Sequence, residues 1–189
     1  MTGKSSAIKT STEIEVAPRE VSFAPGVHAG YLISPPNLYA PFVGLQFDNK
    51  LGRQSSFPFF LRGTLGVILA STDVDDEYAE HLSAQFGQLG LSFLYRRDSV
   101  RRTAWWVGGG PAIAAYRATA TYVDDAHVSG LGVTYPGISF DLGYGWRVGG
   151  GGELDLNANY LFLPSVQDIG VGWESLSGVV TTFGYKVLY

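Results

Sequence analysis

The sequence contains no cysteine and no long apolar run. Without cysteine, the 189-residue chain can form neither a disulfide scaffold nor a thiolate metal site. The absence of any run of about 18 apolar residues excludes a membrane-spanning helix, and the polar start lacks the apolar core of a signal peptide. Charged residues are also scarce, at 16% of the chain, against about 25% in soluble domains. Together these absences disfavour an ordinary soluble protein and a helical membrane protein.

The residues that are abundant favour β-structure. Aromatic residues make up 14% of the chain and glycine occurs 25 times. Glycine weakens helices, and aromatic side chains suit pleated sheets. The net charge of −4 gives no overall attraction to nucleic acid, although Arg96, Arg97, Arg101 and Arg102 form one local basic group. The sequence therefore predicts a nearly all-β protein that does not bind nucleic acid.

The chain divides into a polar start and a long region of alternating residues. Residues 1–24 are rich in Ser, Thr, Lys and Glu, which is typical of a flexible tail or linker. Over residues 25–189, apolar and polar residues alternate in stretches separated by Gly, Asp, Asn and Pro. An even number of strands suits a closed barrel whose two termini lie on the same side of a membrane. The eight predicted strands are 27–34, 38–48, 57–69, 87–95, 103–117, 137–147, 153–162 and 178–189.

The face with small and polar residues fits the barrel interior better than the oily face. An eight-stranded barrel has a narrow interior, and large side chains from every strand would overfill it. In the stretch 57–69, Phe60 and Ile68 break the alternation. Buried charges must be paired and hydrogen-bonded, so the charged members of the small face predict an interior network that closes or narrows the lumen. The predicted network consists of Arg62, Asp141, Arg147, Asp155, Asn157, Asn159 and Lys186.

Tyr and Trp residues near the ends of the stretches predict the two membrane boundaries, because these side chains prefer the lipid headgroup level. One girdle lies near the short connections 97–102 and 149–152, and comprises Tyr95, Trp105, Tyr144, Trp146, Tyr185 and Tyr189. The other lies near the longer connections 71–81, 121–129 and 163–172, and comprises Tyr39, Tyr122, Tyr135, Phe162 and Trp173. Short turns are typical of the periplasmic side, so we expect both termini there. We expect an acidic outer face, because the longer connections carry Asp73, Asp75, Asp76, Glu77, Glu80, Asp124 and Asp125.

The pattern over residues 25–189 resembles the small eight-stranded outer-membrane barrels, the group that includes the OmpA transmembrane domain, OmpX and OmpW. The most specific element is the last stretch, GVVTTFGYKVLY, in which Phe183, Tyr185, Val187 and Tyr189 share one face. These residues look like the signal that the outer-membrane insertion machinery reads, with Tyr189 where that group usually has Phe. The resemblance implies a bacterial outer-membrane location, contact with membrane lipid and lipopolysaccharide, and roles in anchoring, cell-surface contact or small-solute passage.

Three features invite a chemical role, and each has a simpler explanation. The acidic segment 73–77 lacks the glycine and terminal Glu of an EF-hand loop, so a solvated loop is favoured over a calcium site. His127 and Ser129 stand two apart, as in the lipid A deacylases, but they fall in a predicted loop with no positioned acid. His28 and His81 have no metal-ligand partner at suitable spacing. We therefore predict no catalytic residue, no cofactor and no metal site.

These observations favour an all-β protein, an eight-stranded antiparallel up-and-down transmembrane β-barrel. Its expected role is that of a membrane anchor, scaffold or surface-contact protein with a side-chain-filled lumen. Three alternatives stay open: a narrow pore or hydrophobic-ligand channel, a barrel lipid hydrolase that uses His127 and Ser129, and a soluble lipocalin-like binder. The polar start is compatible with an upstream periplasmic domain joined through the basic stretch 4–9, and the oligomeric state stays open.

Overall fold

Nine β-strands make up most of the chain that the structure describes. The computed structural model describes residues 21–34, 38–52, 57–73, 79–99, 102–122, 127–133, 136–163 and 177–189. No helix long and apolar enough to cross a membrane occurs among these residues. The strands are β1 (Phe23–Ser34), β2 (Leu38–Lys50), β3 (Phe59–Asp73), β4 (Ala79–Asp98), β5 (Thr103–Tyr122), β6 (His127–Val133), β7 (Gly137–Val148), β8 (Gly152–Phe162) and β9 (Gly178–Val187).

The strands close into one antiparallel barrel. β1 pairs with β2, β2 with β3, β3 with β4, β4 with β5, β5 with β7, β7 with β8, β8 with β9, and β9 with β1. β6 pairs with β5 over Ala115–Thr121, and β7 pairs with β5 over Thr103–Ala112. β6 and β7 therefore occupy one position in the wall, and the barrel has eight strands. The predicted fold class and strand number are confirmed.

The two ends of the described chain meet where the barrel closes. The Ser22 N–H donates to the carbonyl oxygen of Tyr189 at 2.7 Å, and the Tyr189 N–H donates to that of Phe23 at 2.9 Å. We call this end of the barrel the terminal end and the opposite end the distal end. β1 begins at Phe23, two residues before the predicted start of the barrel at residue 25. Residues 1–20 of the predicted tail lie outside the described residues.

Two tight connections lie at the terminal end. Between β7 and β8, Gly149 has a φ of +61°, a conformation that glycine adopts without strain. Between β4 and β5, Arg102 has a φ of +62°, which a non-glycine residue rarely adopts. The Arg147 N–H donates to the Arg102 carbonyl at 2.8 Å. The second connection is therefore fastened to the end of β7.

The strands at the distal end are longer than the sequence predicts. β3 continues to Asp73 and β4 begins at Ala79, so the prediction of a loop over 71–81 was wrong at both ends. β5 continues to Tyr122 and β6 begins at His127, so the prediction of a loop over 121–129 was wrong as well. Backbone hydrogen bonds form between neighbouring strands whatever the side chains, so a polar segment can continue a ladder. The predicted connection 163–172 lies outside the described residues from residue 164 onward.

Two apolar layers fill the barrel interior above and below a polar layer. Phe60 and Ile68, which break the alternation, both face the interior and are buried. The distal layer consists of Leu32, Ala40, Phe42, Ile68, Phe86, Ala112, Ala114, Leu161, Leu163 and Val180. The terminal layer consists of Val21, Ala24, Phe60, Leu94, Ala104, Trp106 and Leu188. The interior thus holds larger side chains than the size argument from the sequence allows.

Glycines make room for these large interior side chains. A Cβ added to Gly143 would overlap the Trp106 indole, and a Cβ added to Gly66 would overlap the Phe42 ring. A Cβ on Gly184 would likewise overlap the His28 imidazole. Large and small interior residues from neighbouring strands therefore interdigitate.

Candidate functional site

The outer wall of the barrel is apolar. Along β7, Phe140 and Leu142 are exposed, while Asp141 between them is buried. Leu142 is 61% exposed and Val43, on β2, is 64% exposed. A soluble monomer rarely exposes a contiguous apolar surface of this kind, whereas the lipid-facing wall of a membrane barrel requires one.

The predicted girdle residues line the terminal end of this wall. The rings of Tyr95 and Trp105 lie 5.5 Å apart between centroids, and those of Tyr144 and Trp146 lie 4.8 Å apart. The Tyr189 ring stacks 6.4 Å from that of Phe23. Such amphipathic rings suit the boundary between hydrocarbon and headgroups. The residues of the predicted insertion signal, Phe183, Tyr185, Val187 and Tyr189, all face outward on the last strand and at its end.

Part of the second predicted girdle is also described. Tyr39 and Phe162 are exposed at the distal ends of β2 and β8. The side chains of Tyr122, Tyr135 and Trp173 lie outside the described part of the chain. The described residues thus place aromatic side chains at both ends of the apolar wall.

Arg62 lies at the centre of the polar layer. Its Nε and Nη2 donate to the two carboxylate oxygens of Asp48, at 2.6 and 2.9 Å. Its Nη1 lies 3.4 Å from Asn157 Oδ1 and 3.6 Å from Asp141 Oδ1. The guanidinium is fully buried, so these contacts replace the water that it would otherwise bind.

Lys186 links this arginine cluster to the opposite strands. Its Nζ lies 3.0 Å from Asp48 Oδ2 and 2.9 Å from Asp155 Oδ2. His28 Nε2 lies 2.8 Å from the other oxygen of Asp155. The ammonium group also lies 4.3 Å from the centroid of the Trp106 ring, whose Nε1 donates to Asn157 at 3.1 Å. The layer is therefore a continuous set of ion pairs and hydrogen bonds.

Six of the seven predicted network residues are brought together in this layer. Asn159 completes the set, since its Nδ2 donates to Asp141 Oδ1 at 3.0 Å. Arg147 lies apart from the layer, at the terminal rim, where its Nη2 contacts Asp98 Oδ2 at 2.8 Å. The residues that the structure brings together are Arg62, Asp141, Asp155, Asn157, Asn159 and Lys186.

The sequence reasoning missed five residues of the interior. Asp48 pairs with the predicted Arg62, and His28 contacts the predicted Asp155. Both residues lie on strands whose alternation is blurred by glycine and alanine. Arg96 and Glu153 form a second buried ion pair, with nitrogen to oxygen distances of 2.9 and 2.5 Å. Glu153 shares a face with Asp155, so its position was readable from the alternation of β8. Trp106 directly follows Trp105. Successive side chains of a strand point to opposite faces, so one of these two tryptophans must face the interior.

Several buried polar atoms of the interior have no protein partner. They are His28 Nδ1, Gln46 Oε1, Gln88 Oε1, Asp141 Oδ2, Asn159 Oδ1 and Thr182 Oγ1. Polar atoms of this kind are commonly satisfied by buried water. In the described ranges, no three His, Cys, Asp or Glu side chains form a group that could hold a metal ion.

His127 and Ser129 lie on a strand. The prediction that they fall in a loop was wrong, because β6 continues the ladder of β5 and pairs Thr121 with His127 and Thr119 with Ser129. Their side chains lie outside the described part of the structure.

Comparisons with known proteins agree with this geometry. The sequence matches no protein-family model, and no curated protein matches it. Solved structures do match the barrel. Neisserial surface protein A aligns with a TM-score of 0.53 and 11% identity, over 88% of this chain and 96% of its own. The chain has the fold of the small outer-membrane barrels. The attachment invasion locus protein Ail of Yersinia pestis, in complex with the heparin analogue sucrose octasulfate, aligns with a TM-score of 0.54 and 9% identity, over 89% of this chain and 97% of its own.

Proposed function

We propose that this chain is a bacterial outer-membrane protein that anchors in the lipid through its barrel and makes contacts at the cell surface through its distal end. The observation that carries the proposal is the combination of an apolar outer wall with a charged interior. Leucine, valine and phenylalanine side chains on an outer wall have a lower free energy when they face hydrocarbon than when they face water. The chains of similar fold are described as a surface protein and an attachment protein, which supports a role in surface contact.

A soluble lipocalin-like binder would need the reverse arrangement. Such barrels bury their large apolar residues around an internal ligand and expose polar residues to water. Here Arg62 and Lys186 are fully buried, whereas Leu142 and Val43 are mostly exposed. The distribution therefore favours the membrane protein over the soluble binder.

We propose further that the barrel does not conduct solutes and is not an enzyme. Phe42 and Phe86 fill the distal layer, Phe60 and Trp106 fill the terminal layer, and the ion pairs around Arg62 lie between them. An open pore needs a continuous polar path, and two apolar layers of buried side chains oppose it. Both termini would lie in the periplasm, because two tight connections lie at the terminal end, while at the distal end fifteen residues separate Phe162 of β8 from Gly178 of β9.

Membrane partitioning with heat-modifiable gel mobility tests the location. We expect the full chain to need detergent, to resist extraction by urea, and to migrate faster before heating than after it. A protein that stays monomeric in buffer, with a mobility that heating does not change, would overturn the proposal. A protease-cleavable tag at residue 1 tests the orientation: cleavage only in permeabilised cells is expected, and cleavage in intact cells would contradict it.

Planar-bilayer recordings test the proposal that the barrel does not conduct solutes, and a lipid assay tests the proposal that it is not an enzyme. Refolded protein should give no stable single-channel currents, and large stable currents would favour the pore alternative. The protein and its Ser129→Ala variant should both leave lipid A acyl chains intact. Deacylation by the parent that is lost in the variant would establish the hydrolase alternative instead.

A further inference from the structure

The terminal rim between β4 and β5 has a surplus of guanidinium groups. Asp98 is the carboxylate of this rim, and two arginines already share it: Arg96 Nε at 3.1 Å and Arg147 Nη2 at 2.8 Å. The other two nitrogens of Arg96 are occupied by Glu153. No carboxylate within the described ranges pairs with Arg97 or Arg102. Two cationic side chains on this rim are therefore uncompensated.

Arg97 belongs to the lipid-facing surface. Its Cα partner across the strand pair is that of Trp105. Directly paired residues of antiparallel strands point to the same face of the sheet, and the Trp105 side chain is exposed on the outer wall. Arg97 is exposed too, and it lies two residues beyond Tyr95, whose ring contacts Trp105. The arginine thus lies at the level of Trp105, at the edge of the aromatic girdle nearer the terminal rim.

Arg102 lies at the same rim on a constrained backbone. It is exposed, has a φ of +62°, and its carbonyl accepts the Arg147 N–H at 2.8 Å. Since Thr103 begins β5, Arg102 directly precedes the strand that carries Trp105. A backbone that is already fixed loses little freedom when its side chain binds a ligand.

We propose that Arg97 and Arg102, together with the indole of Trp105, form a docking surface for the headgroup of an anionic phospholipid in the periplasmic leaflet. The inference rests on the proposed membrane location. Lipid phosphates lie next to the aromatic level, where the exposed Arg97 lies beside Trp105 and where Arg102 is exposed at the same rim. Guanidinium groups bind phosphate oxygens through paired hydrogen bonds, and the indole covers the adjoining glycerol and upper acyl chain. A net-negative chain would thereby present a basic rim to one leaflet.

Fluorescence quenching by brominated lipids tests this surface. The refolded protein is placed in phosphatidylcholine bilayers that contain a minor fraction of brominated phosphatidylglycerol or, in parallel, of brominated phosphatidylcholine. We expect brominated phosphatidylglycerol to occupy the site with roughly tenfold preference, which corresponds to about 1.4 kcal/mol. Two cationic side chains close to an anionic surface account for an effect of this size. Trp105→Phe should remove the selective part of the quenching.

Variants assign the preference to the two arginines. The double variant Arg97→Gln/Arg102→Gln should quench equally with both lipids, and the double variant Arg97→Lys/Arg102→Lys should keep part of the preference. Arg117→Gln is the matched control, because Arg117 is also exposed on β5 but lies towards the distal end. It should behave like the parent. Heat-modifiable mobility shows for each variant that the barrel is intact.

The outcomes separate this inference from the proposed function. A parent protein that does not insert into either bilayer would overturn the membrane location itself. A parent that inserts as an intact barrel and shows no lipid preference would overturn only the docking surface. A preference that persists in the Gln double variant, or that disappears in Arg117→Gln, would also overturn it, because the site would then lie elsewhere on the wall.

Discussion

Replacement of Arg62 by methionine is the sharpest test of the interior network. Methionine keeps an unbranched apolar stem at this position and removes the charged guanidinium group. The variant leaves Asp48 with Lys186 alone and leaves Asp141 with Asn159 alone, both at buried positions. Removal of one partner from a buried ion pair destabilises proteins by about 3–5 kcal/mol, because the remaining charge is left uncompensated. We expect the free energy of unfolding to fall by that amount.

Two companion variants show whether burial and geometry set the size of the effect. In Lys186→Met, Asp48 keeps both hydrogen bonds from Arg62 and Asp155 keeps His28, so a smaller loss of about 1.5–3 kcal/mol is expected. Arg147→Met removes the contact with Asp98, but the Asp98 carboxylate is 40% exposed and stays hydrated. Exposed ion pairs contribute about 0–1 kcal/mol. The expected order is therefore Arg62, then Lys186, then Arg147.

The assay is denaturant-induced unfolding of protein refolded in lipid vesicles, followed by tryptophan fluorescence and by gel mobility. The double variant Arg62→Met/Asp48→Asn should lose less than the sum of its single variants, because it removes both members of the pair. Equal losses in the free energy of unfolding for Arg62→Met and Arg147→Met would refute the reasoning, because the buried network would then contribute no more to stability than an exposed ion pair at the rim. Strict additivity in the double variant would refute the direct coupling.

Three further predictions follow from packing, lipid exposure and the chain end. Gly143→Val should destabilise the barrel by at least about 1–3 kcal/mol, because its side chain would overlap a buried indole, whereas Gly150→Ala, with open space around its Cβ, should be neutral in the same unfolding assay. Leu142→Arg should cost about 2–4 kcal/mol in vesicles, and Trp146→Arg, four residues nearer the terminal rim, should cost about 0–1 kcal/mol. Tyr189→Ala should lower the fraction of heat-modifiable protein recovered from the outer membrane of expressing cells, and Tyr189→Phe should not; equal recovery of the two variants would remove the role of the terminal aromatic residue.

Alternation predicts the strands well where one face is oily and the other is polar. The stretch 137–147 reads unambiguously and corresponds to β7 almost residue for residue. β6 was missed because the segment HVSGLGV has no oily face, and its place in the wall depends on backbone pairing with β5. Such pairing is a tertiary property, since it requires a partner strand at the right distance rather than a local side-chain pattern.

The same limit applies to the interior site. Alternation shows that Arg147 shares a face with Asp141, but the two residues are six positions apart on one strand. That spacing corresponds to about 20 Å along the strand, so they lie at different heights in the barrel. Height relative to other strands is set by the register and by the tilt of the strands, which the sequence of one strand does not contain. Arg147 therefore meets Asp98 at the rim instead of the central layer.

The register also explains why the network involves these particular strands. The contact of Lys186 with Asp48 joins β9 to β2, and the contact of His28 with Asp155 joins β1 to β8. Both contacts cross the place where β1 and β9, the first and last strands, meet, and they join residues 138 and 127 positions apart in the chain. In a membrane, the outer wall contacts lipid before and after closure, so its apolar surface does little to favour the closed barrel. The Lys186–Asp48 and His28–Asp155 contacts form only when the first and last strands have come together. They therefore stabilise closure itself, and variants that remove them should slow or prevent the step that turns an inserted sheet into a barrel.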